Sequence, residues 1–377
     1  MSVSVLTAEQ ELLRDSLTRF LTSRYDLAAS RSAVKTGLGW QPEIWRAFAG
    51  ELGLLGATLP VAYGGSGGGP VELAVIAEAL GYALVVEPYL DTCVLGAGLL
   101  LGGGARAEKI LTAIGEGTAI TALAAAESSS DLSVAATTAR RDGAQWVLDG
   151  TKAVVTSAPL ATHLLITATT DAGLSLFVMD FDPAAPPSGV VVHPMRTIDD
   201  RLAADLEFHE VRLPADALLG AEGTAWPRVD RTLDSAITAV CAEAVGCMRK
   251  VLADTVEYAK QRVQFGQPIG RFQVLQHRMV DMHLEVEQAS AAVQLAISAL
   301  DGPDAGRARA VSAAKATISR AVRFVGQNAV QLHGGMGMTE ELAVGHYFKR
   351  LTAIEYEFGG CAVHLDRYAR HSDPRTG

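Results

Sequence analysis

The stretch DRTLDSAITAVCAEAVGCMRKVLADTVEYAKQR, residues 230–262, runs for some thirty residues without a proline and with one glycine, Gly246. At 1.5 Å per residue it reads as a helix of about 45 Å. In its middle one carboxylate, Glu243, stands among alanines, valines and cysteines. Two explanations compete. One face of the helix could be wet, and glutamate is a good helix former. Alternatively, the acid faces a pocket and takes a proton.

Two further segments downstream, RFQVLQHRMVDMHLEVEQASAAVQLAISAL (271–300) and RARAVSAAKATISRAVRFVGQNAVQLHG (307–334), carry the same long amphipathic pattern. Helices of this length suit a four-helix bundle, expected over 226–377. Upstream, over 119–225, the texture is short and β-branched. TAITALAAA, AQWVLDGTKAVVTSA, THLLITATT, LSLFVMDF, GVVVHPM and ADLEFHEVRLP are separated by turn signals, which predicts a β-sandwich or barrel. Residues 1–118 read mostly as helices, starting at Thr7 and Gln10, which are spaced as a capping box. The glycines of LPVAYGGSGGGP (59–70) lack the strand-turn-helix setting of a phosphate loop and read as a flexible turn. The fold class is therefore α+β, with a helical domain, a β-domain and a helical bundle in that order.

Composition narrows the function classes. The chain has 377 residues, is 49% hydrophobic and 20% charged, and carries a formal net charge of −10. That balance gives no basic footprint for nucleic acid or anionic membrane. The four cysteines, Cys93, Cys241, Cys247 and Cys361, have no CxxC spacing and read as reduced thiols. Nine histidines show no HExxH pattern, so no metal is expected. No basic-then-apolar leader opens the chain, and the LGAGLLLGGG run at 95–104 is too short to span a bilayer. The expected location is cytoplasmic.

RVQFGQPIGRFQVLQH (262–277) and QLHGGMGMTEE (331–341) closely resemble signatures of the acyl-CoA dehydrogenase family. So do LPVAYGG with AEALG at 77–81, and LDGTKAVVTS at 148–157. The matches run in family order over almost the whole chain. The resemblance implies an FAD lying between the β-domain and the bundle, with its dinucleotide tail at a subunit interface. By motif match, Arg262, Phe265 and Gln273 would serve the diphosphate and adenine region of a neighbour's flavin, where a planar guanidinium suits phosphate oxygens. Gln331, Gly334 and Gly335 would contact the diphosphate, glycine letting the backbone approach closely. Thr156 matches a threonine at the reactive edge of the flavin ring, and Val154 stands where many members carry tryptophan. Ser130, in AAAESSSDLS (124–133), corresponds to a shortened loop at the pyrimidine edge. His333 and Arg201 read as structural, Arg201 in a surface ion pair.

The reaction the resemblance implies needs a carboxylate to remove the α-proton of an acyl-CoA while the flavin accepts the β-hydride. Partial burial makes a carboxylate a competent base. The family places this residue at one of two positions. In HYFKRLTAIEYEFGGC one register puts Phe358 at the first position, and a slip of one puts Glu357 there. At the second, ungapped counting back from RVQFG lands on Ala236, with Ile237 in place of a family arginine. Glu243 lies seven residues on, within ~20° of the same helix face and ~10.5 Å further along. A group of actinobacterial steroid side-chain dehydrogenases is similar here and carries A-x-E-x-x-G on this helix. Glu243 is therefore the expected base, with Glu357 the alternative.

The reading that follows is an FAD-dependent acyl-CoA dehydrogenase, with a bulky or steroid-derived acyl group suggested by the resemblance. An electron-transfer flavoprotein would be its electron acceptor, and the assembly a homotetramer or an α2β2 heterotetramer. A non-catalytic partner subunit and a flavin oxidase on the same scaffold are the alternatives.

Overall fold

The computed structural model describes residues 6–129 and 131–372. In chain order it contains α1 (Ala8–Arg24), α2 (Leu27–Thr36), α3 (Pro42–Gly50), α4 (Pro70–Tyr82), a π-helical turn (Leu90–Gly96), α5 (Ala97–Leu100) and α6 (Ala105–Gly115). Seven strands follow: β1 (Thr121–Ala124), β2 (Thr138–Asp142), β3 (Gln145–Thr156), β4 (His163–Thr170), β5 (Gly173–Asp180), β6 (Val190–Arg196) and β7 (Leu202–Pro214). The C-terminal part holds α7 (Trp226–Gln261), the short hairpin β8 (Val263–Gln264) and β9 (Gln267–Pro268), α8 (Gln273–Ala299), α9 (Asp304–His333), α10 (Ala343–Tyr356) and α11 (Cys361–Arg370). The helical N- and C-terminal regions and the intervening sheet match the expected α+β order. By spatial contact the chain forms two compact units, Ala33–Gly69 with Val86–Ala236, and Met1–Ser32 with Pro70–Val85 and Ile237–Gly377.

In the first of these units the strands form one mixed sheet in the order β1-β4-β2-β3-β7-β6, with β5 also on β4. β1 pairs parallel to β4, and the other extended pairings are antiparallel. The expected sandwich or barrel is thus, in hydrogen bonding, one continuous sheet that curls over its core. Trp146 on β3 meets Phe177 on β5 edge to face at 5.2 Å, although β2 and β4 separate their strands. Both rings are buried, as is Phe208 of β7. Such side chains contribute about 1.5–3 kcal/mol each on burial. The sequence pattern does not reveal β2, whose TARRD is too polar for a strand signal. Its backbone pairs with β3, and its charged side chains meet exposed partners on β7, Arg140 with Glu210 at 2.8 Å and Asp142 with Arg212 at 2.8 Å. Arg141 also lies over the Trp146 ring at 4.2 Å.

The glycine-rich loop differs from its expectation of flexibility. The N–H groups of Ser66, Gly67 and Gly68 donate to the carbonyls of Gly56, Leu59 and Ala57 at 2.8–2.9 Å. These donors are committed to the chain's own backbone, which agrees with the absence of a phosphate-loop role.

A buried ion pair ties Glu127 to β3. Lys152 Nζ donates to Glu127 Oε1 at 2.7 Å and to Thr167 Oγ1 at 3.2 Å. Burial opposes ionisation of Glu127, but hydrogen bonds from Lys152, Thr137 and Ala136 outweigh it and hold the carboxyl down at about 2. Burial lowers Lys152, with Glu127 opposing the shift.

In the second unit α1 opens with the expected capping box. Gln10 N–H donates to Thr7 Oγ1 at 3.2 Å, and Thr7 N–H donates to Gln10 Oε1 at 3.0 Å. α9 is buried along most of its length and packs against α8, α10 and α11. α4 meets α7 backbone to backbone. A Cβ on Gly81 would lie 2.1 Å from the Glu243 carbonyl oxygen, and one on Gly246 would lie 2.0 Å from that of Glu78. Ordinary helix pairs stand 8–10 Å apart according to the side chains between them. Here each helix places a glycine where it meets the other's backbone. Among the described residues no helix is long and apolar enough to cross a membrane.

Each of G81A and G246A should therefore destabilise the protein by about 1–3 kcal/mol in denaturant unfolding, from overpacking. A gain in stability, as helix propensity alone would give, would refute the contact. E127Q should lose up to about 3–5 kcal/mol near pH 7, because it leaves the Lys152 ammonium buried without its counter-charge. Because the folded carboxyl titrates below its ordinary 4.5, its contribution is complete above that pH and fades as pH falls towards 2. Unfolding measured from pH 7 to 2 should show the wild type converging on E127Q in that window.

Candidate active site

Glu243 points from the middle of α7 towards α10. The residue is 7% exposed, and its carboxylate is gripped at both oxygens by Arg350, itself 3% exposed. Arg350 Nε donates to Oε1 at 2.7 Å and Nη2 to Oε2 at 2.8 Å. A planar guanidinium fork matches a carboxylate in this bidentate way, and the nearby positive charge favours the ionised acid. The remaining arm of Arg350, Nη1, lies 2.9 Å from Glu357 Oε2. The two carboxylates singled out in the sequence, 114 positions apart, thus share one buried cation.

The turn that carries Glu357 is itself held from inside. Lys315 of α9 is fully buried and donates to the carbonyls of Ile354 at 2.9 Å, Glu355 at 3.1 Å and Gly359 at 2.9 Å. Its charge replaces the missing helical donors at the end of α10. Burial lowers Lys315, while Cys241, Glu357 and Glu355 act to raise it. Phe358 takes φ +57°, so the chain reverses at the residue the first register places at the base position. Glu355 pairs with Arg323 and not with Arg350. Ala236 and Ile237 are buried apolar residues of α7.

The RVQFG segment is a tight hairpin with Phe265 at φ +53° and Gly266 at φ +77°. It projects the Phe265 ring, 91% exposed, with Arg262 also exposed beside it. Tyr258, one turn before Arg262, stacks on His333 at 4.3 Å and donates to the His333 carbonyl at 3.3 Å. That contact joins the end of α7 to the end of α9, the two segments that carry Arg262 and Gln331, Gly334 and Gly335. His333 Nδ1 is 2.8 Å from the Ala329 carbonyl, which gives the imidazole a structural role. Gln273, Gln331, Gly334 and Gly335 are all exposed, and a Cβ added at either glycine would meet nothing within 4 Å. A guanidinium, two amides, an uncovered ring and open backbone fit a dinucleotide's diphosphate and base.

Thr156 ends β3, in the other unit. Its hydroxyl donates to Asp91 Oδ1 at 2.8 Å, and the Ser157 hydroxyl donates to Asp91 Oδ2 at 2.5 Å. Val154, on a bulge of β3, is half exposed with φ +49° and donates its N–H to Asp205 at 2.7 Å. Ser130 lies outside the described residues. Arg201 is 3.5 Å from Asp199 in an ion pair, but Asp199 is buried, so this is not the surface pair expected. All four cysteines are free thiols, and burial pushes Cys241 up to about 12. Among the described residues no group of three or more His, Cys, Asp or Glu could hold a metal ion.

Sequence reasoning did not identify Arg350, Lys315 or Asp91. Arg350 was visible within HYFKR only as an alignment anchor. Lys315 and Asp91 carry no local pattern, because each acts on backbone or hydroxyl groups remote in sequence.

Three family models match successive parts of the chain: the acyl-CoA dehydrogenase N-terminal domain over 7–136, the middle domain over 121–211 and the C-terminal domain over 223–372. The chain is 33% identical to acyl-CoA dehydrogenase FadE12 of Mycobacterium tuberculosis over 80% of each chain. It is 32% identical to cyclohex-1-ene-1-carbonyl-CoA dehydrogenase of Geobacter metallireducens, over 93% of this chain and 94% of that one. Among solved structures it superposes on the Tcur3481-Tcur3483 steroid ACAD variant with a TM-score of 0.87 and 30% identity, covering 96% of this chain and 97% of that one. Fold, motif geometry and these likenesses agree that the chain belongs to the acyl-CoA dehydrogenase family, FAD-dependent oxidoreductases that act on acyl-CoA.

Proposed function

We propose that the chain is the catalytic subunit of an acyl-CoA dehydrogenase that introduces an α,β double bond into a CoA thioester, with Glu243 as the base. The observation that carries this reading is the buried Glu243 carboxylate, the one charged side chain of the central stretch 235–248 of α7, held at both oxygens by Arg350. A wet helix face would leave the same side chain in solvent. A carboxylate has about four lone-pair directions, and the fork occupies two of them, so the acid retains capacity for a proton. Bound FAD supplies the acceptor for the β-hydride. Glu243 receives the α-proton, and the C–H electron pair left at the α-carbon becomes the new double bond as the hydride leaves.

In this reading Arg262, Phe265, Gln273, Gln331, Gly334 and Gly335 hold the dinucleotide part of a flavin bound by a neighbouring subunit. Thr156 meets the ring of the chain's own flavin, and Ser130 belongs to the loop assigned to its pyrimidine edge. The division into 1–118, 119–225 and 226–377 is part of the same proposal. So are the cytoplasmic location, the tetrameric assembly, with a second copy or a related chain, and transfer of electrons to an electron-transfer flavoprotein. For the acyl group we favour a bulky ring-bearing one, including steroid-derived acyl groups. The support is likeness to a steroid enzyme and to one named for a cyclohexene thioester.

The test is anaerobic bleaching of the purified flavoprotein by butyryl-CoA, cyclohexanecarbonyl-CoA and a steroid side-chain thioester. The ring-bearing substrates should bleach fastest, and E243Q should slow bleaching by about 10²–10⁴-fold. Wild-type bleaching in E243Q would refute Glu243 as base. A yellow wild-type protein that no thioester bleaches would favour the partner-subunit reading, and peroxide release in air would favour the oxidase.

A further inference from the structure

Arg350 faces a difficulty each time its partner takes a proton. While Glu243 is ionised, the pair is neutral. Once Glu243 is protonated, a guanidinium 3% exposed would sit in the interior with a neutral acid against it. Isolated buried charges are among the costliest features a protein can hold. The second carboxylate on the same cation, Glu357 at 2.9 Å from Nη1, meets that need.

We propose that Glu357 is a positioning residue for the reaction, the resident counter-charge of Arg350 that lets Glu243 accept the substrate proton without stranding a buried cation. This rests on Glu243 being the base. The second acid then has a function of its own, because Glu357 stays ionised throughout and its carboxylate neither gains nor loses a proton. Glu243 alone moves between charged and neutral forms. The turn that presents Glu357 is fixed accordingly, by Lys315 through the carbonyls of Ile354, Glu355 and Gly359, and by His364 Nε2 at 2.9 Å from the Phe358 carbonyl.

Charged and titratable groups on the neighbouring helices are the following. α7 contributes Cys241, which burial keeps as a neutral thiol, and Cys247. α9 contributes Lys315, and Arg323 paired with Glu355. α10 contributes His346 and Tyr347, whose hydroxyl donates to the Tyr82 carbonyl at 2.5 Å. α11 contributes His364, and α4 contributes Tyr82 and Glu78, the latter paired with Arg249.

The experiment is the rate of anaerobic flavin reduction against pH, in the holoenzyme with saturating substrate, for wild type, E243Q, E357Q, E357A, E357D and E355Q. Removing the Glu357 charge leaves Arg350 uncompensated, which makes Glu243 harder to protonate and a weaker base. Both neutral variants, E357Q and E357A, should therefore move the acid limb down by about one pH unit or more. The plateau should be up to about tenfold slower, and less flavin should be reduced at equilibrium. E357D should restore much of the profile. E355Q alters the same turn but not the Arg350 pair, and should titrate as wild type. Wild-type profiles in E357Q and E357A would overturn the proposal, as would an equal shift in E355Q. A dead E357Q beside an active, shifted E243Q would instead overturn the assignment of Glu243 as base.

Discussion

The glycine-to-backbone crossing of α4 and α7 is the constraint on which the acid's environment depends. Gly81 and Gly246 each sit where a Cβ would fall about 2 Å from the other helix's carbonyl oxygen. With the two backbones in contact, one flank of α7 is sealed beside Glu243. Cys247 marks how close they are, its Sγ lying 3.1 Å from the Gly81 carbonyl. The acid is thereby directed to α10, where Arg350 is waiting. The sequence AEALG and the spacing from Glu243 to Gly246 are thus two halves of one packing requirement. They look unrelated along the chain because about 165 residues separate them.

This explains how much was legible. Long helices, the capping box at Thr7 and Gln10, and most strands follow from periodicity, because each is a local pattern that the tertiary structure then uses. β2 was hidden because its polar side chains pair with charges on β7 and lie over Trp146 of β3, where an apolar alternation would have shown it. Glu243 stood out because an ionisable group in an apolar helix demands an explanation. Its partner could not be read, since nothing in HYFKR says that Arg350 points inward and Lys349 does not. The two registers for the C-terminal acid could not be separated for a related reason. Which residue faces Arg350 depends on Phe358 adopting a left-handed backbone, a tertiary choice at a non-glycine residue.

Buried cations recur as struts in both units, and each meets its desolvation cost differently. Lys152 takes one carboxylate, Glu127, and pins a loop to β3. Lys315 takes backbone carbonyls and pins a turn to α9. Of these three, Arg350 alone is shared by two carboxylates. For a strut, one counter-charge suffices, because nothing in the pair needs to change state. Two acids on one cation make sense where one of them must be able to lose its charge. The excess acid is thus better explained by proton transfer than by stability, since buried ion pairs in themselves add little to stability.

Backbone strain falls partly in the same places, since Leu84, Asp200 and Glu210 also take positive φ outside them. Among the described residues, the non-glycine positions in the left-handed region include Val154, Ser157, Phe265 and Phe358. Each lies in a segment that sequence comparison alone connects with flavin or base. A β-branched or aromatic residue with positive φ is disfavoured by contact between its Cβ and the backbone, at a cost of about 1–3 kcal/mol. In a hairpin such as 263–268, asparagine or glycine would relieve that strain, yet Phe265 stands there and holds its ring out into solvent. At Phe358 the same geometry turns the chain back after Glu357 and fixes which acid meets Arg350. Strain retained at a position that a smaller residue could relax implies that the side chain's direction matters more than its stability. For Phe265 that direction is outward, with the edge of the Phe272 ring at 6.1 Å beside it.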